Sequence, residues 1–137
     1  MSTSRILDTT TVSLLMKGQP HAVSRLQGCR RADVFIPQPV IAEIAYGLAR
    51  LPESKRKERL EARFKLMMSQ MHRADWTDDV SIRFGAVKAL LERRGLRLED
   101  FDLAIAAHAL ASEAILVTSN IRHMRRIPEL EVESWEA

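Results

Sequence analysis

The chain has 137 residues, 46% of them hydrophobic and 28% charged, which suits one globular domain with a real core spanning 1–137. No apolar run approaches the ~20 residues a bilayer span needs, no basic segment followed by an apolar one opens the chain, and the single Cys29 excludes an intrachain disulfide or a cysteine zinc site; together these lead us to expect a cytoplasmic protein with no membrane partner. The net charge of +3 and a pI near 9.4 are a mild hint of a polyanionic partner.

In chain order, Arg5-Ile6-Leu7 is a short strand closed by Asp8, and Val12, Leu14, Leu15 and Met16 then predict a short helix. Val34-Phe35-Ile36 is a second strand closed by Pro37. Pro39 suits the first turn of the next helix, where its missing N–H costs nothing. That helix carries Val40, Ile41, Ile44, Ala45 and Leu48 at i, i+3, i+4 spacing, with Glu43 as the only charge between Asp33 and Arg50. Glu53 to Met71 reads as a long amphipathic helix. Its stripe of Leu60, Phe64, Met67, Met68 and Met71 suits a core or a dimer interface. Its basic face of Lys55, Arg56, Lys57, Arg59, Arg63 and Lys65 suits either phosphate binding or plain solvation, with Glu53, Glu58 and Glu61 as helical partners.

Asp75-Trp76 is a minor strand candidate, and Asp78 or Asp79 could cap a helix running to Arg94, ended by Gly95. From Leu103 to Leu110 the sequence is apolar except for His108, so a helix from about Phe101 to Ser112 lies in the core, with Asp102 at its head and His108 expected as a satisfied core histidine. Ile115-Leu116-Val117-Thr118 is a buried strand followed by Ser119-Asn120. A short basic helix with Arg122, His123, Arg125 and Arg126 comes next, and Val132 to Trp135 is a last strand. Alternating strands and helices predict an α/β fold: a mostly parallel sheet covered by helices on both faces.

The polar residues at strand ends and helix starts are Asp8, Glu43, Asp102 and Asn120. Ligands bind open parallel sheets beyond the carboxyl ends of the strands, so the four can converge there. Hard oxygen donors suit Mg²⁺ or Mn²⁺, and two carboxylates ~4 Å apart repel by about 4 kcal/mol at an effective dielectric near 20, so a close group of three calls for a cation or a raised pKa. Asp8 and Asp102 read equally well as N-caps worth ~1 kcal/mol each. Glu43 has no such reading, since it stands among Ile41, Ile44 and Ala45 with no obvious partner. His21, His72, His108 and His123 show no metal-ligand spacing, and His123 is a candidate phosphate contact.

Four segments resemble, in order, the motifs of PIN-domain ribonucleases of the VapC toxin family: Ile6-Leu7-Asp8-Thr9, Ile41-Ala42-Glu43-Ile44-Ala45-Tyr46-Gly47-Leu48, Asp102-Leu103-Ala104-Ile105-Ala106-Ala107 and Leu116-Val117-Thr118-Ser119-Asn120. The resemblance covers essentially the whole chain, with Pro128, Leu130 and Trp135 included. It implies a PIN fold, a homodimer, cleavage of RNA dependent on Mg²⁺ or Mn²⁺, and a small antitoxin that binds across the active site. Carried over by motif, Asp8, Glu43 and Asp102 are the acidic metal ligands and Asn120 takes the fourth catalytic position. Lys55, Arg56, Arg59, Arg63, Arg122 and Arg125 would guide the RNA. The chain departs from the pattern at Thr10, where Asn or Ser is common, at Asn120, where many relatives have Asp, and at Met124, which replaces a frequent Phe. A neutral Asn120 weakens a second metal site and favours one firmly held ion. Two alternatives stay open beside the ribonuclease: an inactive PIN-like module that binds RNA or protein, and a metal-dependent DNA nuclease or phosphatase using the same oxygen donors.

Overall fold

The computed structural model describes residues 3–137. Its strands are β1 (Arg5–Leu7), β2 (Val34–Pro37), β3 (His72–Ala74), β4 (Ile115–Val117) and β5 (Val132–Glu133). Its helices are α1 (Thr9–Met16), α2 (Pro20–Gln27), α3 (Gln38–Ala49), α4 (Lys55–Gln70), α5 (Asp78–Arg93), α6 (Asp100–Ala111) and α7 (Ile121–Met124). The strands form one sheet in the order β3-β2-β1-β4-β5, and every neighbouring pair is parallel. Successive side chains of a strand point to opposite faces. Ile6 and Leu7, like Leu116 and Val117, are completely buried, so both faces of the central strands are covered.

Helix α6 is the core helix. From Leu103 to Ala109 it is buried residue after residue, and it packs along α5 while also meeting α3, β1 and β4. The small side chains Ala104, Ala106, Ala107 and Ala109 permit close approach of these neighbours. The stripe of α4 faces inward: Leu60, Phe64, Met67 and Met68 pack against the core. No helix among the described residues is long and apolar enough to cross a membrane.

Several local expectations need correction. Helix α2 was not foreseen: its start is set by Pro20 in the first turn and by the Gln19 side chain, which accepts from the Ala22 amide at 2.7 Å. The third strand is His72–Ala74, not Asp75-Trp76, because parallel pairing with Phe35 to Pro37 fixes it there. Thr77, not Asp78 or Asp79, caps α5, its hydroxyl accepting from the Val80 amide. The last strand stops at Glu133. Helix α6 begins at Asp100 after Glu99, which places Asp102 inside the first turn and removes its reading as an N-cap. His108 is completely buried, yet neither ring nitrogen has a hydrogen-bond partner. It instead meets the Trp76 ring edge-on, with centroids 5.4 Å apart, and its burial holds its pKa below the usual histidine value.

The far end of the chain is tied down by Glu133. Its carboxylate accepts from Arg5 Nε at 2.9 Å and from Trp135 Nε1 at 2.7 Å, and Arg25 lies 3.2 Å away. Burial alone would raise the Glu133 pKa, but the hydrogen bonds from Arg5 and Trp135 and the two guanidinium charges hold it below the ordinary value.

Candidate active site

The sheet changes winding direction between β1 and β4: from β1 the chain moves outward to β2 and β3, and β4 returns to the other side of β1. The connections that leave the carboxyl ends of these two adjacent strands therefore diverge, which makes a crevice there, the usual place for a ligand in such sheets. The Asp8 amide donates to the Val117 carbonyl at 3.0 Å and so locks the two strand ends together. Asp8 also caps α1, accepting from the Thr11 amide at 2.8 Å through Oδ1, so the cap and the site use the same side chain. It is almost fully buried. Burial raises its pKa, against hydrogen bonds from Thr118, Thr11 and Ser119.

Glu43, one turn into α3, is half-buried, and its Oε1 accepts from the Thr9 hydroxyl at 2.5 Å. That bond crosses from α1 to α3 and fixes one oxygen of the carboxylate. Asp102 arrives from α6, half-buried. Burial raises its pKa, and the charges of Glu43, Asp8 and Glu99 push it further, with His123 acting in the opposite sense. The structure therefore brings Asp8, Glu43 and Asp102 into one electrostatic neighbourhood from three elements that are far apart in sequence.

The fourth residue behaves differently. The Asn120 amide donates to the Thr118 hydroxyl at 2.9 Å, which turns the chain out of β4. The Asn120 side-chain oxygen accepts from His123 Nδ1 at 2.6 Å, one turn along α7, so it faces His123 and not the carboxylates. Sequence reading missed Thr9 and Thr118 as organisers of the site. For Thr9 the available signal was its place next to the motif acid Asp8; Thr118 has no acid beside it and carried no such signal.

Among the described residues no three acidic, histidine or cysteine side chains close on a single point as a ready metal cage. The donor set still fits a hard cation. Mg²⁺ keeps several waters and needs only one or two carboxylates, and the mutual repulsion at Asp102 is what such an ion would offset.

Of the basic residues, Lys55, Arg56 and Arg59 are exposed on α4, and Arg122 on α7 and Arg125 at its C-terminal end are exposed too. Arg63 is committed elsewhere: its guanidinium donates to the Met16 carbonyl at 2.7 Å, satisfying the C-terminal end of α1. Lys57, in the first turn of α4, is buried and pairs with Glu53 at 2.8 Å. A groove of about 250 Å³, walled by Met16, Ile44, Leu48 and Leu60, runs from Thr9 and Glu43 toward α4.

Residues 5–130 match the family model of the PIN domain. The chain is 35% identical over 103 residues to ribonuclease VapC2 of Rickettsia felis, covering 75% of each chain. This chain is a member of the VapC ribonuclease family of PIN-domain proteins. VapC ribonucleases are the toxins of VapBC toxin–antitoxin systems. The chain is 28% identical over 130 residues to the tRNA(fMet)-specific endonuclease VapC of Salmonella typhimurium, covering 95% of this chain and 96% of that one. Its fold superposes on the DNA-bound VapBC structure from Salmonella typhimurium with a TM-score of 0.87 at 28% identity, covering 99% of this chain and 100% of the matched one. The VapC fold accounts for the all-parallel sheet.

Proposed function

We propose that this VapC-family chain is an endoribonuclease toxin that hydrolyses RNA phosphodiesters with the help of Mg²⁺ or Mn²⁺. The observation that carries the reading is Asp102: a half-buried carboxylate standing in the field of Glu43 and Asp8, where a lone helix cap would have no such company. Asp8 and Asp102 are the residues that would hold the cation, and Glu43 either completes its shell or orients the attacking water. A bound divalent cation supplies charge for the phosphorane and makes a coordinated water more acidic.

The chain's own residues do the rest. The Thr9 hydroxyl holds Glu43 Oε1 and so restrains the carboxylate that acts on the metal shell or the water. The Thr11 amide and the Thr118 side keep Asp8 in one rotamer while it caps α1. Lys55, Arg56 and Arg59 on α4, with Arg122 on α7 and Arg125 just past its end, draw the polyanionic backbone across the crevice. Arg63 contributes by holding α1 and not by meeting RNA.

The same reading includes a small antitoxin as partner. The apolar groove beside Glu43 suits a segment that lays apolar side chains against Met16, Ile44 and Leu60 and brings a cationic group to the carboxylates. It also includes a homodimer. Trp76 and Phe101, both large and about half exposed, rim an apolar groove of about 350 Å³ with Pro39 and Phe84, a surface suited to a second copy.

The test is cleavage of single-stranded RNA and of matched DNA by purified protein in EDTA, Mg²⁺ and Mn²⁺, beside growth with and without the neighbouring small reading frame. RNA cleavage only with metal, with growth arrest relieved by the neighbour's product, supports the reading. DNA cleaved equally well, or no cleavage by a protein that still binds RNA, refutes it in favour of the DNA nuclease or the inactive module.

A further inference from the structure

Asn120 and His123 form a pair that the acidic site does not use. The Asn120 Oδ1 carries no proton, so the 2.6 Å contact with His123 Nδ1 requires the ring proton on Nδ1. In the neutral imidazole this leaves Nε2 as a lone-pair acceptor, and no described residue pairs with it. The ring is half-buried on α7, the helix that leaves the carboxyl end of β4, where the Val117 carbonyl accepts from the Asp8 amide, so it stands at the same end of the sheet as the acidic site. Asn120 is itself held by the Thr118 hydroxyl, which also faces Asp8, so the pair is anchored to the same strand end as the site.

What can donate to such an acceptor? A group next to the reacting phosphate meets the sugar–phosphate backbone. Phosphate oxygens only accept. DNA backbone offers no donor at all, and RNA backbone offers one, the ribose 2′-hydroxyl. We propose that His123 Nε2 accepts a hydrogen bond from the 2′-hydroxyl of a nucleotide flanking the cut, and that Asn120 is the positioning residue that sets the tautomer making this possible. His123 is then a specificity residue that separates RNA from DNA, and the neutral Asn120 has a role that needs no second metal ion. The proposal rests on the ribonuclease reading above and deepens it.

The experiment uses a single-stranded RNA with a mapped cut and versions carrying one 2′-deoxy or one 2′-fluoro nucleotide on either side of it. Fluorine cannot donate. At one of the two positions, wild type is expected to lose roughly 10-fold in cleavage with either substitution, the scale of one hydrogen bond. His123→Ala is expected to lose about the same on all-RNA and to be nearly indifferent to the substitutions. Asn120→Ala should resemble His123→Ala, and the double variant should be no worse. Asn120→Asp, whose carboxylate accepts the same ring proton, should restore the discrimination. Nitrogen NMR of the His123 ring should show the Nδ1–H form in wild type and its loss in Asn120→Ala.

His123→Ala that keeps the full wild-type penalty for 2′-deoxy overturns the proposal. So does equal slowing on every substrate with a salt slope reduced by about 0.7, the mark of a phosphate contact. Those failures leave the parent reading intact provided that wild type cleaves only with metal and Asp102→Asn does not cleave. A wild type that cleaves RNA and DNA alike overturns both.

Discussion

Asp102→Asn removes one charge and preserves shape, so its effect on stability reports the electrostatics of the site. In the metal-free protein the wild-type carboxylate is raised in pKa by burial and then by Glu43 and Asp8, which means that folding pushes like charges together. The position is half-exposed, and water screens it. The relevant scale is that of exposed pairs, a few tenths to 1 kcal/mol for each neighbour, and not the several kcal/mol of a dry interior. We therefore expect the variant to be about 1 kcal/mol more stable than wild type in EDTA, which for 137 residues is roughly 2–5 °C in Tm. The pH dependence has a definite sign. A folded-state pKa raised above the unfolded value gives stability that is present at low pH and lost as pH rises through the folded pKa. The gap should be widest near pH 7 and close as pH approaches about 4, the range where an unfolded aspartate takes its proton. Mg²⁺ or Mn²⁺ at ten times its Kd should then stabilise wild type by about 1.4 kcal/mol and the variant hardly at all, which erases or inverts the difference. Thermal melts at three pH values, with and without metal, measure all of this, and the variant should not cleave RNA. A variant that melts well below wild type in EDTA, or that gains as much from metal, would refute the charge-cluster reasoning.

Other expectations follow from single contacts. Thr9→Val frees Glu43 Oε1 and should slow RNA cleavage about 10-fold or more while moving unfolding free energy by no more than about 1 kcal/mol, the worth of one hydrogen bond; unchanged kinetics would remove Thr9 from the site. Glu133→Gln breaks the charge-assisted bonds from Arg5 and Trp135 and should cost roughly 1.5–3 kcal/mol by urea unfolding. Because the Glu133 pKa is depressed, that loss should be largest above the unfolded glutamate value near 4.3 and fade as pH falls through the folded pKa. His108→Leu replaces a buried ring with two unpaired nitrogens and should match or exceed wild-type stability at neutral pH. Its advantage should grow as pH drops below about 6.5, where the wild-type histidine must stay unprotonated to remain buried. Replacing Lys55, Arg56 and Arg59 together by Ala should flatten the salt dependence of RNA binding by about 0.7 per lost phosphate contact, whereas Arg63→Ala should lower stability and leave the slope alone.

The sequence by itself determined the elements that carry their own period and punctuation. Apolar Ile6-Leu7 and Leu116-Val117 demanded strands covered on both faces, Pro39 marked the start of α3, and the unbroken run from Leu103 to Ala109 demanded a central helix. Four motif residues in order were enough to name the family and the fold. What needed the tertiary structure was everything that depends on two distant segments meeting. Position β3 was chosen by its pairing with β2 and not by its own residues His72 to Ala74, which have no strand signature. The readings of Asp8 and Asp102, identical on paper, separated only in three dimensions: the first is at once a cap and a site residue, the second is no cap and feels Glu43 and Asp8. Arg63 and His108 show the same limit from the other side. A basic residue on an exposed helix face proved to be tied to the end of α1, and a core histidine expected to find a partner found only the edge of Trp76. Local periodicity fixes which face of a segment is apolar because that is a property of neighbours in the chain. Hydrogen-bond partners, like-charge crowding and the direction of an Asn120 oxygen are properties of neighbours in space, and only the folded arrangement of β1, β4, α3, α6 and α7 sets them.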